Sequence, residues 1–282
     1  MKLLLVYTEV QIKYGSYAFQ HGLAAISAYV KRAGNHQVAL SYVGPRWSPE
    51  GFRERVRAFQ PDVIGFYVTE DQLRFVRKLL NDPAVGRAFT VFGGPYATLN
   101  PEVLEQEGRL DAVCIGEGEI PMATLLEQLA RGEEPAEVPG LWIRRGSDIV
   151  RTPPPAYIAD LDSLPFVDRQ VFEDTPEIRH VGLTQISHRN SIRVSRGCPF
   201  KCSFCSNHRL GQTQEGVFTR LRSVPAVLEE VREVIARYNP REIYFDDDSF
   251  TLKESFVEEF AAQYPRCSTL PFEFFSHVGP SA

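Results

Sequence analysis

The chain has 282 residues, 43% hydrophobic and 24% charged, with a formal net charge of −5. That is the composition of a globular protein of about two domains. It lacks a long basic run that would neutralise a nucleic-acid backbone, and it lacks the roughly 18 consecutive apolar residues of a membrane span.

The spacing of apolar residues predicts alternating strands and helices over residues 1–131. Met1–Tyr7 is too short for a signal peptide's apolar core and reads as a first strand, Lys2–Tyr7. Leu23, Ile26, Tyr29 and Val30 share one face of a helix that stops at Gly34, with His21 at its start. Val38, Leu40 and Tyr42 alternate as a half-buried strand. Ser48-Pro49 supplies an N-cap and a first-turn proline for a helix that buries Phe52, Val56 and Phe59. Val63–Tyr67, Thr90–Phe92 and Ala112–Ile115 follow as strands. Asp71–Leu80 and Ile120–Ala130 are helices, and a short helix opens at Asn100-Pro101. Five such units imply an open, doubly wound parallel sheet that binds ligands at the carboxyl ends of its strands.

Two glycine-bearing loops fall at those ends: Gly93-Gly94-Pro95-Tyr96-Ala97-Thr98 and Gly116-Glu117-Gly118-Glu119. Paired glycines admit a bulky flat ligand close to the backbone, and they also serve as plain tight turns. A hairpin, Leu141–Arg144 and Ile149–Arg151 around Gly146-Ser147, closes this unit. Thr152-Pro153-Pro154-Pro155 then reads as a stiff linker. Residues 156–190 carry little periodicity and are expected on the surface.

Ser191–Ser195 is a short strand that delivers Cys198, Cys202 and Cys205, a C-x3-C-x2-C run holding three of the chain's five cysteines. Three thiolates in one loop suit an iron–sulfur cluster with one iron left open, since cysteine is the usual ligand of such clusters. Structural zinc, with His208 as the fourth ligand, and plain buried thiols are the alternatives. Cys114 and Cys267 read as structural, and an odd cysteine count without a disulfide framework points to a reducing cytoplasm; a cluster with an open iron would also need low oxygen. Ser223 caps a helix with Val224, Val227, Leu228, Val231, Val234, Ile235 and Tyr238 on one stripe. Strand Glu242–Phe245, a helix over 254–263 and strand Phe272–Ser276 complete a βαβαβ pattern. Asp246-Asp247-Asp248 at the end of the middle strand either meets a ligand or caps the next helix. It lacks the ligand spacing of a calcium loop.

At its spacing, with Phe204 before the third cysteine, the cysteine run resembles the signature of the radical S-adenosylmethionine (SAM) enzymes. The resemblance implies a 4Fe–4S cluster on Cys198, Cys202 and Cys205, with SAM on the open iron. Phe204 would lie beside the adenine and Asp247 near the amino end of SAM. The segments 92–98 and 111–119 resemble the cobalamin-binding domain of the cobalamin-dependent members of that family. By that likeness Gly93, Gly94, Pro95, Gly116 and Glu117 would face cobalamin, with Thr69 near its nucleotide tail. One departure stands out: the histidine that ligates cobalt in many cobalamin proteins has no counterpart over Thr8–Gly15, so base-off cobalamin is implied.

The expected architecture is α/β: a Rossmann-like cobalamin-binding domain over 1–150, a linker over 151–190, and the first half of a (β/α)6 partial barrel over 191–282. The last part has 92 residues against the roughly 180–200 of a six-unit barrel, so an incomplete barrel is expected. The implied activity is methyl transfer to an unactivated carbon of a small molecule, with flavodoxin or ferredoxin as electron donor. Oxidative cyclisation by the same cofactors, and a non-catalytic cobalamin-binding fragment, are the alternatives.

Overall fold

The computed structural model describes residues 1–10, 19–44, 48–179 and 190–277. Residues 11–15, part of the segment with no counterpart of the cobalt-ligating histidine, and residues 180–189 of the linker lie outside the described residues.

Strands β1 (Lys2–Thr8), β2 (Gln37–Val43), β3 (Val63–Tyr67), β4 (Phe89–Gly93) and β5 (Ala112–Cys114) run parallel, in the order β2-β1-β3-β4-β5. The hairpin of β6 (Leu141–Arg145) and β7 (Asp148–Arg151) extends the sheet antiparallel beyond β5. Helices α1 (His21–Ala33) and α6 (Glu119–Ala130) cover one face, where Leu23, Val30, Leu125 and Leu126 join Leu3, Leu5 and Val91. Helices α2 (Pro49–Phe59) and α3 (Leu73–Leu80) cover the other, with Phe52, Val56, Leu79 and Leu80 against Leu4, Ile64 and Phe92. The sheet is doubly wound, and its order reverses between β1 and β3, the topological switch point at which such sheets open a crevice.

Local chemistry explains the boundaries. The Ser48 hydroxyl accepts from the Glu50 N–H at 3.2 Å and Pro49 fills the first turn of α2. Ser48→Ala removes that cap and is expected to lower stability by about 1 kcal/mol, read from a urea unfolding midpoint.

Three readings are corrected here. Strand β2 is buried on both faces rather than half-buried, because Ala39 and Val43 face the α2 side while Leu40 and Tyr42 join the core under α1. The glycine loop after β4 holds a short helix, α4 (Pro95–Leu99), followed by α5 (Val103–Gln106), which starts later than Asn100-Pro101 suggests. The connector is not a surface strap. It forms a 3-10 turn (Leu161–Ser163) and helices α7 (Gln170–Glu173) and α8 (Pro176–Arg179), with Leu161, Val171 and Phe172 buried.

In the C-terminal unit the expected strand Ser191–Ser195 is two pieces, β8 (Ser191–Ile192) and β9 (Ser195–Arg196). The Asp247 carboxylate causes the break. It accepts from the N–H groups of Val194 and Ser195 and from the Ser195 hydroxyl, which turns that backbone out of the sheet ladder. A short helix α9 (Asn207–Leu210) follows, then β10 (Arg220–Leu221), antiparallel to β9. Helix α10 (Val224–Tyr238), β11 (Ile243–Phe245), α11 (Glu254–Cys267) and β12 (Phe272–Phe274) complete the described chain, with β11 parallel to both β8 and β12. The stripe on α10 packs Val227, Val231 and Val234 against Ile243, Phe245 and Phe260. Among the described residues no helix is long and apolar enough to cross a membrane.

Candidate functional site

A cavity of about 380 Å³ opens at the carboxyl edge of the seven-stranded sheet and runs beneath the start of the C-terminal unit. That volume lies in the range of small-molecule sites, about 300–1,000 Å³. Its floor is the strand ends of the first unit, with Gly93, Gly94, Pro95, Gly116 and Glu117 all on it. Its roof carries Arg196, Gly197 and Asn207, the residues that flank the three cysteines. Phe166 and Val167 of the connector close one side.

The glycines are fixed by their surroundings. Gly94 has φ +92°, and a Cβ there would stand 3.0 Å from the Tyr67 ring and the Val68 carbonyl. Gly116 has φ +80°, and a Cβ would fall 2.2 Å from Gln214 Oε1. Gln214 lies over this turn, accepting from the Glu117 N–H at 3.0 Å and donating to the Pro155 carbonyl at 2.8 Å. At Gly93 a Cβ would meet only Cys114, at 3.8 Å, so this glycine leaves its cavity side open. A flat ligand with apolar faces fits such a floor, beside Leu5, Ile26 and Met122.

Cys198, Cys202 and Cys205 are half-buried in one loop. Gly197 launches the loop at φ +81°, where a Cβ would stand 2.3 Å from the Phe218 carbonyl oxygen. Phe200, between the first two cysteines, stacks on His277 with ring centres 4.1 Å apart. The Cys205 N–H donates to the Cys202 carbonyl at 3.0 Å, and the Asn207 N–H points to Cys205 Sγ at 3.5 Å. Burial raises the pKa of Cys198, and nearby Asp248, Cys205 and Cys202 add to the rise. Among the described residues no three cysteine, histidine or acidic side chains converge as ligands of one ion. The donor set nevertheless fits an iron–sulfur cluster in kind: three soft thiols on one loop, with few local groups competing for them. His208, the fourth ligand of the zinc alternative, turns Nδ1 to the Cys205 carbonyl at 2.8 Å. Phe204 is 92% exposed and stands clear of the core.

Other expected site residues are placed differently. Thr69 does not line the cavity, and its hydroxyl donates to Asp71 Oδ1 at 2.5 Å. Asp247, expected near the amino end of SAM, is 3% exposed and does not line the cavity, and its carboxylate accepts from Val194 and Ser195. Asp248 faces the cavity instead and accepts from the Asn207 amide at 2.8 Å. Glu117 lines the cavity, but its carboxylate is taken by Arg196, Arg220 and the Ile158 N–H rather than left for a ligand. Burial pushes its pKa up, and the two guanidinium groups pull harder, leaving it below the usual carboxylate range.

His21 starts α1, as its place in the sequence suggests, yet it also lines the cavity. Its Nε2 lies 2.7 Å from the Ser191 hydroxyl, joining the first unit to β8, while Nδ1 is buried without a partner among the described residues. Burial, then the charges of Arg193, Arg169, Arg222 and Arg196, hold its pKa well below 6.5, although Asp246 Oδ2 lies 3.7 Å from Nε2. The unfolded chain takes up this proton below pH 6.5 and the folded chain does not, so folding loses stability as pH falls through that region. Unfolding midpoints between pH 7.5 and 5.5 are expected to show a wild-type loss of up to about 1.4 kcal/mol per pH unit that His21→Gln lacks.

Comparison with known proteins gives this arrangement its setting. The family model described as the B12 binding domain matches residues 8–126. An uncharacterized methyltransferase of Pyrococcus horikoshii is 29% identical, over 90% of this chain and 55% of its own length. The hopanoid C-3 methylase of Methylococcus capsulatus is 31% identical over 82% of this chain and 42% of its own length. An anaerobic magnesium-protoporphyrin IX monomethyl ester cyclase of Cereibacter sphaeroides is 27% identical, over 75% and 34%. A solved cobalamin-dependent S-adenosylmethionine radical enzyme, OxsB, described with aqua-cobalamin and S-adenosylmethionine bound, superposes with a TM-score of 0.74 at 17% identity over 97% of this chain and 38% of its own.

Residues 8–126 match the B12 binding domain, and the chain as a whole is similar to cobalamin-dependent radical SAM enzymes. It spans about half the length, or less, of the curated relatives given above. The fold shared with OxsB is a mostly parallel Rossmann-like sheet followed by a radical SAM-type unit. Within this frame, residues the sequence did not single out prove central. Arg196, Arg220, Gln214 and Tyr157 all line the cavity shared by the two units. Arg196 stands two places before Cys198, and that proximity is the one signal in the sequence that pointed to it.

Proposed function

We propose that residues 1–150 hold cobalamin and that residues 191 onward begin a SAM domain whose cluster sits on Cys198, Cys202 and Cys205, the whole serving methyl transfer to an unactivated carbon of a small molecule. One observation carries this reading. The glycine floor of the first unit and the flanks of the cysteine loop line the same cavity. When bound, the cluster with SAM supplies one-electron chemistry and cobalamin supplies a transferable methyl group.

The chain's own part is placement. Gly93 leaves room for a corrin to lie against the strand ends, with Gly94, Pro95 and Gly116 shaping the floor around it. Asp248 and Asn207 present polar groups to the cavity from the C-terminal side, where the amino end of SAM would stand, and Phe204 offers an aromatic face for the adenine. Connector residues Leu164, Pro165 and Phe166 line the cavity between the units and shield it from water. A one-electron donor such as flavodoxin or ferredoxin would serve the cluster in a cytoplasmic setting. Oxidative cyclisation is the second reading, favoured by the match to the Cereibacter cyclase.

The test is the EPR spectrum of anaerobically reconstituted, dithionite-reduced protein, with and without SAM. A 4Fe–4S signal that shifts with SAM supports the reading; absence of any cluster overturns it. Methylated against cyclised product from the full-length relative's substrate separates the two reactions.

A further inference from the structure

We infer that Glu117 and Glu119 clamp Arg196 and Arg220, and that through this ionic clamp the glycine turn of the first unit sets the position of the cysteine loop. These four are positioning residues. The inference deepens the proposed function and rests on it for what the loop carries.

The geometry centres on one carboxylate. Glu117 Oε1 accepts from Arg196 at 3.0 Å and from Arg220 at 2.7 Å, while Oε2 accepts from Arg220 and from the Ile158 N–H, both at 3.1 Å. Arg196 uses its second terminal nitrogen on Glu119 at 2.5 Å. Arg220 also donates to the Ile158 and Phe218 carbonyls. The side chains are 14% exposed for Glu117, 4% for Glu119, 23% for Arg196 and 5% for Arg220, so water screens them little. Two acids and two guanidinium groups balance, and fork-shaped pairing gives directional as well as electrostatic hold.

Both arginines belong to the cysteine loop's base. Arg196 and Arg220 face each other in the β9–β10 ladder. From Arg196 one glycine leads to Cys198, and that glycine is hemmed in by the Phe218 carbonyl 2.3 Å from its Cβ direction, so motion of Arg196 is passed on rather than absorbed. On the other side, Glu117 and Glu119 alternate with Gly116 and Gly118 on the cavity floor, where Gln214 already rests on the turn. An apolar contact would let the two units slide against each other. Paired buried charges fix a register instead, which is the best-attested use of such groups.

The test uses the full chain and needs no bound cofactor. Hydrogen exchange on the wild type, Glu117→Gln and Arg196→Lys reads the loop directly. Peptides covering 197–206 are expected to exchange about tenfold faster in Glu117→Gln and less so in Arg196→Lys, which keeps the charge but has one nitrogen in place of the two that Arg196 gives to Glu117 and Glu119. Peptides over β1 and β3 are expected to stay unchanged. Unchanged exchange at 197–206, or equal loosening of β1 and β3, overturns the clamp.

A second readout links the clamp to its cargo. The SAM-dependent EPR shift of the reconstituted wild type is expected to alter when hydroxocobalamin is added, and that response is expected to vanish in Glu117→Gln. A full cobalamin response in Glu117→Gln counts against transmission through the clamp. A wild type without cluster or cobalamin overturns the proposed function, while hydrogen exchange still decides the clamp.

Discussion

Replacing Cys202 with alanine is expected to abolish the cluster of reconstituted protein, dropping bound iron from about four per chain to under about one. The loop supplies three thiols and nothing local replaces one. His208 is turned to the Cys205 carbonyl, and Asp248 is held by Asn207. Cys198→Ala and Cys205→Ala are expected to do the same, whereas Cys267→Ala should retain the cluster, since its thiol donates to the Leu228 carbonyl beneath α11. Iron content and the reduced EPR signal check this. A Cys202→Ala protein that keeps four irons would move the cluster elsewhere, and one zinc bound equally by wild type and His208 variants would exclude the zinc alternative's ligand set.

Arg169→Ala is expected to cost about 3–5 kcal/mol, the range for removing one partner of a buried ion pair. Arg169 is 3% exposed and donates to Glu230 at 2.8 Å and to the Ser191 carbonyl at 2.7 Å; Glu230 is 2% exposed. Its loss leaves a buried carboxylate on α10 with Arg222 as its remaining guanidinium partner. In a chain of this size the cost corresponds to a melting-point fall of roughly 10 °C. Glu230→Gln should fall in the same direction. Arg131→Ala, whose partner Glu133 is half-exposed, should leave the midpoint where it is. A fall of only a degree or two for Arg169→Ala would mean that water reaches Glu230.

The first unit was legible because each of its elements is local. The apolar stripe of Leu23, Ile26 and Val30, the Ser48-Pro49 cap and the short strands between glycines repeat at periods a reader can follow. Helix α4 was hidden by the glycines before it, although Pro95 at its first position was a signal in plain view. The connector escaped because its buried residues serve different neighbours: Phe172 packs on Phe19, Tyr157 on Phe218, and Arg169 pairs with Glu230. Residues with unrelated partners show no period. The cysteines declared themselves by crowding, while Glu117 and Arg220 stand 103 positions apart and their pairing is visible only in three dimensions.

The connector's burial bears on how this chain can be divided. Val171 and Phe172 complete the core that Leu40 and Tyr42 of β2 enter, and α7 and α8 lie against that edge strand. A cut after residue 150 therefore leaves an apolar wound along β2 and an unfilled socket at Phe19. A fragment that ends at residue 150 is therefore expected to expose apolar surface that one carrying the connector keeps covered.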